Sequence, residues 1–341
     1  MGDVPTVFGP GHAVAIAFGI GVVLIANSGP LRGRSGSPIA GSGSVRSEHR
    51  RNPQSEPGVA APDGPIAVDV KGRQRRAIVV NRGTAEQRRP AVIVLHGGQG
   101  NADAMRRRTG FDALARKEGF VVVYAEGTRF GAEGLDQYAW NTGYLLRRQV
   151  RDSDDIAYFD TLIDLLIRDH GADPKRIFMT GGSNGGMMTY VYAVARPGKL
   201  AAVAPIVASM FTFDTTPAVP LPILIINGER DEEVPIGGGF SNNPIVRRAQ
   251  AVPFKAVDDV VRYWVKANRA ETKPTYTTKG SVTTTVYAAR KDGAPVEFVR
   301  DADGGHGWPG TRSRRSGARP IDAFSGAERV WEFFKHQARN P

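Results

Sequence analysis

Thr180-Gly181-Gly182-Ser183-Asn184-Gly185-Gly186 is the stretch of sequence that decides the fold. It lies between a segment, 176–180, that predicts a strand and a segment, 184–196, that predicts a helix. A serine held at a tight strand-to-helix turn needs small neighbours, and the glycines of G-x-S-x-G meet that need. In a chain with 41 glycines the motif alone is weak, so a plain glycine turn stays open as an alternative. A phosphate-binding loop is disfavoured because no lysine follows the glycines.

Strands and helices alternate on both sides of this stretch. Apolar runs predict strands over 66–70, 75–80, 91–95, 120–124, 201–207, 223–226, 282–288 and 296–299. Helical spacing of apolar residues predicts helices over 103–118, 154–170, 257–266 and 322–336. The first two strands are predicted to be antiparallel and half exposed, whereas the later apolar runs are typical of strands buried on both faces. The expected fold class is α/β, with a mainly parallel central sheet, helices on both faces, and chemistry at the carboxyl ends of the strands.

A glycine-rich loop, His96-Gly97-Gly98-Gln99-Gly100, follows the first of these buried strands. In this architecture that loop supplies one backbone N–H to a developing oxyanion, and Gly98 is the candidate. The second donor is the backbone N–H of Asn184, at the start of the helix after Ser183. His96 is interpreted as a structural residue that holds the loop. An ordinary glycine turn is the alternative interpretation.

An acidic loop, 227–235, follows a later apolar strand. Asp231 is the predicted acid that orients a histidine and stabilises its charged form. Glu229, Glu232 and Glu233 remain rivals, because sequence spacing does not separate them from Asp231. A solvated acidic turn is the alternative interpretation of the loop.

His306 is the predicted general base, reached by elimination among six histidines. It lies in a glycine-rich loop after the last predicted strand, whereas His170 is predicted to cap a helix; a surface-loop histidine is the alternative for His306. The order Ser183, Asp231, His306 is that of the α/β-hydrolase fold. It predicts that Ser183 attacks an acyl carbon, that His306 takes its proton, and that water releases the acyl-enzyme.

The sequence also resembles a family of secreted α/β-hydrolases, the polyhydroxybutyrate depolymerases and feruloyl or acetylxylan esterases. The segments that carry this resemblance are VLHGG at 94–98, YAEGT at 124–128, WNTG at 140–143, DP-x-RI-x-x-TGGSNGGMM at 173–188, GGHGWPG at 304–310 and W-x-FF at 331–334. The resemblance implies that Ser183, Asp231 and His306 form the triad. It also implies that Trp140 and Trp308 border the substrate, with core packing as the alternative for both.

The family resemblance leaves the substrate open. It implies a carboxylic ester hydrolase acting on polyhydroxyalkanoate oligomers or on feruloyl or acetyl esters of polysaccharide. Alternatives are a serine peptidase of the prolyl-oligopeptidase kind and a non-catalytic cell-wall-binding protein. The sequence departs from many relatives at Gly98 and Leu145-Leu146, where they carry cysteine, and at Asn227, where they often carry histidine.

Composition excludes several kinds of chemistry. The 341-residue chain has no cysteine, which removes disulfide scaffolds, thiolate zinc sites, iron–sulfur clusters and cysteine nucleophiles. No metal-ligand cluster or nucleotide fingerprint is present, so we expect no metal and no cofactor. For the net charge of +11, solubility and attachment to an acidic cell surface are the competing interpretations. No nucleic-acid module is present, and we expect a monomer.

The N-terminal region differs from the rest of the chain. The apolar run 13–26 has the length of a signal-peptide core, although no lysine or arginine precedes it; an uncleaved anchor or an incidental apolar segment is the alternative. We therefore expect a signal peptide or anchor over 1–28, a Ser/Gly/Pro/Arg-rich linker over 29–64, and one catalytic domain over 65–341. Such a protein is secreted or tethered outside the cytoplasm.

Overall fold

The computed structural model describes residues 60–131, 134–144, 148–311, 321 and 323–339. All of them belong to one compact unit, Pro53–Pro341. The predicted N-terminal segment 1–28 and most of the predicted linker lie outside the described residues. Within the described ranges, no helix has both the length and the apolar character needed to cross a membrane.

Within the described residues, ten of the strands form one sheet, in the order β1-β2-β4-β3-β7-β8-β9-β12-β11-β10. The strands are β1 Gly64–Val70, β2 Arg73–Val80, β3 Arg89–Leu95, β4 Val121–Ala125, β5 Thr128–Arg129, β6 Tyr138–Ala139, β7 Ala172–Gly182, β8 Ala202–Ile206, β9 Ile223–Gly228, β10 Thr275–Lys279, β11 Val282–Tyr287 and β12 Val296–Asp301. The six strands from β4 to β12 in that order pair in parallel, and the outer strands pair antiparallel. A separate two-stranded hairpin joins β5 to β6.

Helices cover both faces of the sheet. They are α1 Ala102–Thr109, α2 Phe111–Glu118, α3 Arg148–Arg151, α4 Asp155–Asp169, α5 Asn184–Ala195, α6 Pro244–Ala249, α7 Val257–Ala267 and α8 Gly326–Phe334. Successive residues of a strand point to opposite faces, so Ile93 packs on one side of the sheet and Val94 on the other. Phe159 of α4 and Trp264 of α7 fill the first side, and Phe334 of α8 fills the second. The predicted α/β class, with a mainly parallel sheet between two helical layers, is confirmed.

The differences from the sequence-based elements have local causes. The predicted helix 103–118 is two helices, because Gly110 adopts a left-handed conformation with φ 76° and ends α1. The last helix begins at Gly326 rather than at 322, where the Ser325 hydroxyl accepts the backbone N–H of Glu328. The edge strand β10 was not predicted, because all its residues are exposed and no apolar period marks it. His170 caps α4 as predicted.

Candidate active site

Ser183 occupies the turn between β7 and α5. Its backbone is strained, with φ 56° and ψ −125°, and its N–H donates to the carbonyl of Ile206 at 2.9 Å. The flanking glycines are required by close packing: a Cβ on Gly181 would lie 2.6 Å from the carbonyl carbon of Gly185, and one on Gly185 would lie 2.5 Å from the carbonyl oxygen of His96. The G-x-S-x-G spacing therefore lets strand, helix and the loop after β3 meet around one serine.

Asp231 and His306 lie in the loops that follow the parallel neighbours β9 and β12. Nδ1 of His306 is 2.8 Å from Oδ2 of Asp231. The carboxylate is buried, and its other oxygen accepts the backbone N–H groups of Glu233 at 2.9 Å and Val234 at 2.8 Å. These two donors fix the carboxylate, so it holds the imidazole in one orientation.

The rival acids of this loop have other positions. Glu229 is exposed and pairs with Arg300 at 3.3 Å, and Glu232 is exposed. Glu233 is buried, and its Oε2 lies 3.4 Å from Nε2 of His306. The imidazole is thus contacted by a carboxylate at each nitrogen, with Asp231 giving the shorter contact. In the sequence, Glu233 is only a rival of Asp231, and nothing there predicts its place at the other nitrogen of the ring.

The two predicted oxyanion donors lie beside the serine. Gly98 and Asn184 line the same cavity as Ser183. As the first residue of α5, Asn184 has a backbone N–H without an acceptor inside the helix. Its side chain is held in place, because Oδ1 accepts the N–H of Trp140 at 2.7 Å and Nδ2 donates to the Trp140 carbonyl at 3.2 Å.

His96 holds the loop that contains Gly98. Its Nε2 accepts the backbone N–H of Gly127 at 3.0 Å, and its Nδ1 lies 2.8 Å from the carbonyl oxygen of Gly97. Burial lowers the pKa of His96 to about 4, so the ring is neutral at pH 7 and Nδ1 carries the proton that it donates to Gly97. The geometry agrees with the structural role that the sequence predicted.

Apolar side chains surround the cavity above Ser183, which has a volume of about 100 Å³. Phe130 and Ala139 come from the β5–β6 hairpin and its continuation, and Val246 and Ala249 come from α6. This apolar wall was not predicted from the sequence. The one available signal was Asn243-Pro244, a helix-start pair in which the asparagine side chain accepts the N–H of Ile245 at 2.9 Å.

The two tryptophans predicted to border the substrate do not line this cavity. Trp140 is fully buried, donates from Nε1 to the carbonyl of His96 at 2.9 Å, and packs on Phe159. Trp308 is 7% exposed and packs edge-on against Phe111. A tryptophan in a glycine-rich segment of this kind is equally suited to the core. The role of Trp140 and Trp308 as substrate contacts stays a prediction.

A metal site is not evident in the part of the chain that the structure describes. There, no group of three or more His, Asp or Glu side chains is arranged to hold an ion. The expectation that the chain works without metal or cofactor stays a prediction.

Comparison with known proteins also indicates an esterase. Residues 75–236 match the protein family described as Esterase PHB depolymerase. The chain is 28% identical to the candidate esterase NocK of Nocardia uniformis subsp. tsuyamanensis over 235 residues, 65% of this chain and 66% of that protein. It is 27% identical to feruloyl esterase B of Piromyces equi over 233 residues, 65% of this chain and 40% of that protein. The chain therefore spans less than two thirds of the length of these curated relatives.

A solved structure supports the fold. The acetyl xylan esterase from Aspergillus awamori aligns with a TM-score of 0.52 at 14% identity, covering 76% of this chain and 93% of that one. Likeness at this level of identity concerns the fold and not the substrate. The predicted α/β-hydrolase fold is confirmed, and so is the predicted resemblance to a family of esterase enzymes.

Proposed function

We propose that this chain is a serine carboxylic ester hydrolase that works through an acyl-enzyme, because residues 75–236 match the protein family described as Esterase PHB depolymerase. Ser183 is the nucleophile, His306 the general base and Asp231 the acid that orients it. One observation carries the proposal. A strained serine at a strand-to-helix turn lines a cavity with Glu233, and Glu233 contacts a histidine whose other nitrogen is held by a fixed carboxylate.

Acylation begins when Oγ of Ser183 attacks the ester carbonyl carbon and Nε2 of His306 takes the hydroxyl proton. The positive imidazolium that forms is stabilised by Asp231 at 2.8 Å. The carbonyl oxygen becomes negative and accepts the N–H groups of Gly98 and Asn184. The tetrahedral intermediate then collapses: the ester C–O bond breaks, and the leaving alcohol takes the proton from His306.

Deacylation repeats these steps with water. His306 removes a proton from a water molecule, whose oxygen attacks the acyl carbon, and the same two N–H groups hold the second oxyanion. When this intermediate collapses, Ser183 regains its proton from His306 and the carboxylic acid leaves. Each N–H donor of this kind contributes about 100- to 1,000-fold to the rate.

The proposed substrates are polyhydroxyalkanoate oligomers or feruloyl or acetyl esters. The family description and the name of the feruloyl esterase relative support this range. Pockets for drug-sized ligands have volumes of roughly 300–1,000 Å³. Since the cavity above Ser183 measures about 100 Å³ and has an apolar wall, it favours a short acyl group among these substrates.

We also propose that the protein acts outside the cytoplasm, either secreted or tethered. The apolar run 13–26 supports this proposal, because its length suits the core of a signal peptide. Cell fractionation tests the location, and a protein found only in the cytoplasmic fraction would contradict the proposal. N-terminal sequencing of the extracellular protein tests cleavage: a mature chain that begins near Ser28 agrees with it, and a retained Met1 contradicts it.

Hydrolysis of p-nitrophenyl acetate by the full chain and by Ser183→Ala tests the proposed chemistry. We expect Ser183→Ala to lose at least about 1,000-fold in kcat/KM while it keeps the circular dichroism spectrum of the wild type. Equal rates for the two proteins would contradict the proposal.

A further inference from the structure

A second and larger cavity, of about 970 Å³, lies along the outer strands β1 and β2. We call it the basic groove, because five cationic side chains line it: Lys71, Arg73, Arg75, Arg76 and Arg129. The ester chemistry proposed above uses none of them. Because the groove is basic and the chain has a net charge of +11, the ligand that suits it is negatively charged.

The basic groove and the cavity above Ser183 share one wall, the β5–β6 hairpin. Arg129 and Tyr138 are paired across the two strands, and both line the basic groove. The residue after each of them lines the cavity above Ser183: Phe130 directly follows the end of β5, and Ala139 is the last residue of β6. Because neighbouring residues of a strand point to opposite sides, the hairpin presents one face to each space. A chain-like ligand that crosses this hairpin reaches both.

The acids that line the basic groove are already neutralised. Glu126 pairs with Arg76 at 3.0 Å and Asp154 pairs with Lys71 at 2.6 Å. Asp152 lies 3.7 Å from a cation outside the groove, Arg148.

Two cations of the groove remain available. Arg75 pairs with the buried carboxylate of Asp155 at 2.9 Å and is therefore used by the fold. Arg73 and Arg129 are exposed, and neither has an ion-pair partner among the described residues. Arg129 donates only a long hydrogen bond of 3.4 Å to the carbonyl of Leu135. Among the described residues, the groove therefore offers a ligand two guanidinium groups without an ion-pair partner.

We propose that the basic groove binds the carboxylate groups of a uronate-bearing polysaccharide, whose ester-linked acyl group then reaches Ser183. This rests on the proposed function and narrows its substrate class to acidic, acylated polysaccharide. Guanidinium groups match carboxylates in a two-pronged geometry, so Arg73 and Arg129 each hold one uronate. The half-buried ring of Tyr138 also lines the groove and adds apolar surface for the sugar.

A sugar acid fits these observations better than a nucleic acid. Nucleic-acid binding relies on many phosphate contacts along the strand and on aromatic platforms for successive bases. Among the residues that the structure describes, the basic groove offers two cations without an ion-pair partner and one half-buried aromatic ring, Tyr138. Such a sparse arrangement suits a polymer with widely spaced carboxylates.

Binding of polygalacturonate to Ser183→Ala protein tests the proposal without any hydrolysis. We expect Arg73→Gln/Arg129→Gln in that background to weaken binding about tenfold at low salt, since each exposed charge pair contributes modestly. The matched control is Arg107→Gln/Arg108→Gln, which removes the same charge from exposed positions of α1 outside the groove. The control should change the affinity less than twofold. Equal loss in both double variants, no binding at all, or tighter binding of single-stranded DNA would overturn the proposal.

Kinetics separate this proposal from the proposed ester hydrolysis. We expect Arg73→Gln/Arg129→Gln to keep the wild-type kcat/KM on p-nitrophenyl acetate and to raise KM on acetylated glucuronoxylan about tenfold. An unchanged KM on the polysaccharide would contradict the proposed binding role of the groove, but it would leave the proposed ester hydrolysis intact. Absence of activity on every ester, with polygalacturonate binding intact, would overturn the esterase alone.

Discussion

The two sides of the cavity above Ser183 are built on different principles. On one side lie the loops after β3, β7, β9 and β12, where backbone atoms approach within contact distance and hydrogen bonds fix each polar group. On the other side lies the apolar wall, made by α6 and the residues next to the β5–β6 hairpin. The first side holds the proposed chemistry and tolerates little change. The second side sets the room for the acyl group and leaves more freedom in side-chain identity.

Beyond Ser183→Ala, the largest expected effect on activity is at Asp231, on the side of the cavity that is formed by the loops at the strand ends. Asp231→Asn should lower kcat/KM for p-nitrophenyl acetate about 1,000- to 10,000-fold, because the amide favours the wrong tautomer of His306. Glu229→Gln is the matched control, since Glu229 is exposed and pairs with Arg300 instead. We expect it to change the rate less than twofold. A greater loss in Glu229→Gln than in Asp231→Asn would reverse the assignment.

Gly185 tests how tightly the same side is packed. A Cβ there would lie 2.5 Å from the carbonyl oxygen of His96, so Gly185→Ala should cost at least about 2 kcal/mol in free energy of unfolding. In Gly98→Ala the new Cβ would meet only the Cβ of Asn184 at 3.6 Å, an ordinary contact. Urea denaturation of both variants measures the difference. Equal free energies of unfolding for Gly185→Ala and Gly98→Ala would contradict the close packing at Gly185.

The pH dependence of the free energy of unfolding tests the environment of His96, which is buried in the loop after β3. Its pKa is about 4 in the folded chain and about 6.5 when unfolded, so between these values only the unfolded chain binds the proton. The stability from His96 is therefore complete above pH 6.5 and is lost as pH falls towards 4, by about 2 kcal/mol between pH 7 and pH 5. His96→Gln should lose that part of the pH dependence, as measured by urea unfolding at both pH values. The exposed His336→Gln is the control, and a wild-type pH dependence in His96→Gln would contradict this account.

The smallest expected effect is on the apolar wall. Val246→Ala enlarges the cavity, so the ratio of kcat/KM for p-nitrophenyl butyrate to that for the acetate should rise about three- to tenfold. Val219→Ala removes the same atoms from a valine that is 45% exposed and does not line the cavity, and should leave the ratio unchanged. A similar shift in both variants would argue against α6 as the wall that selects the acyl group.

The same contrast explains what could be predicted from the sequence. Gly181, Gly185 and Ser183 are constrained by backbone contacts, and such contacts leave a fixed spacing in the sequence. The sequence favoured Asp231 but could not exclude Glu233, because both carboxylates follow one strand and only the direction of each side chain separates them.

The wall was missed for a different physical reason. An apolar side chain such as Phe130 or Val246 contacts its neighbours through dispersion, which demands no particular residue type or spacing. Trp140 illustrates the same limit for an aromatic residue. Its ring is buried and packs on Phe159, and its predicted contact with substrate stays a prediction.

Covalent labelling of Ser183 is the most direct test of the central claim. After incubation of the folded chain with diisopropyl fluorophosphate, we predict one adduct per chain by intact mass, on the peptide that contains Ser183. We predict no adduct on Ser183→Ala, and slower labelling of Asp231→Asn. An adduct on another residue, or an unlabelled wild-type chain that is folded by circular dichroism, would contradict the assignment of Ser183 as the activated nucleophile.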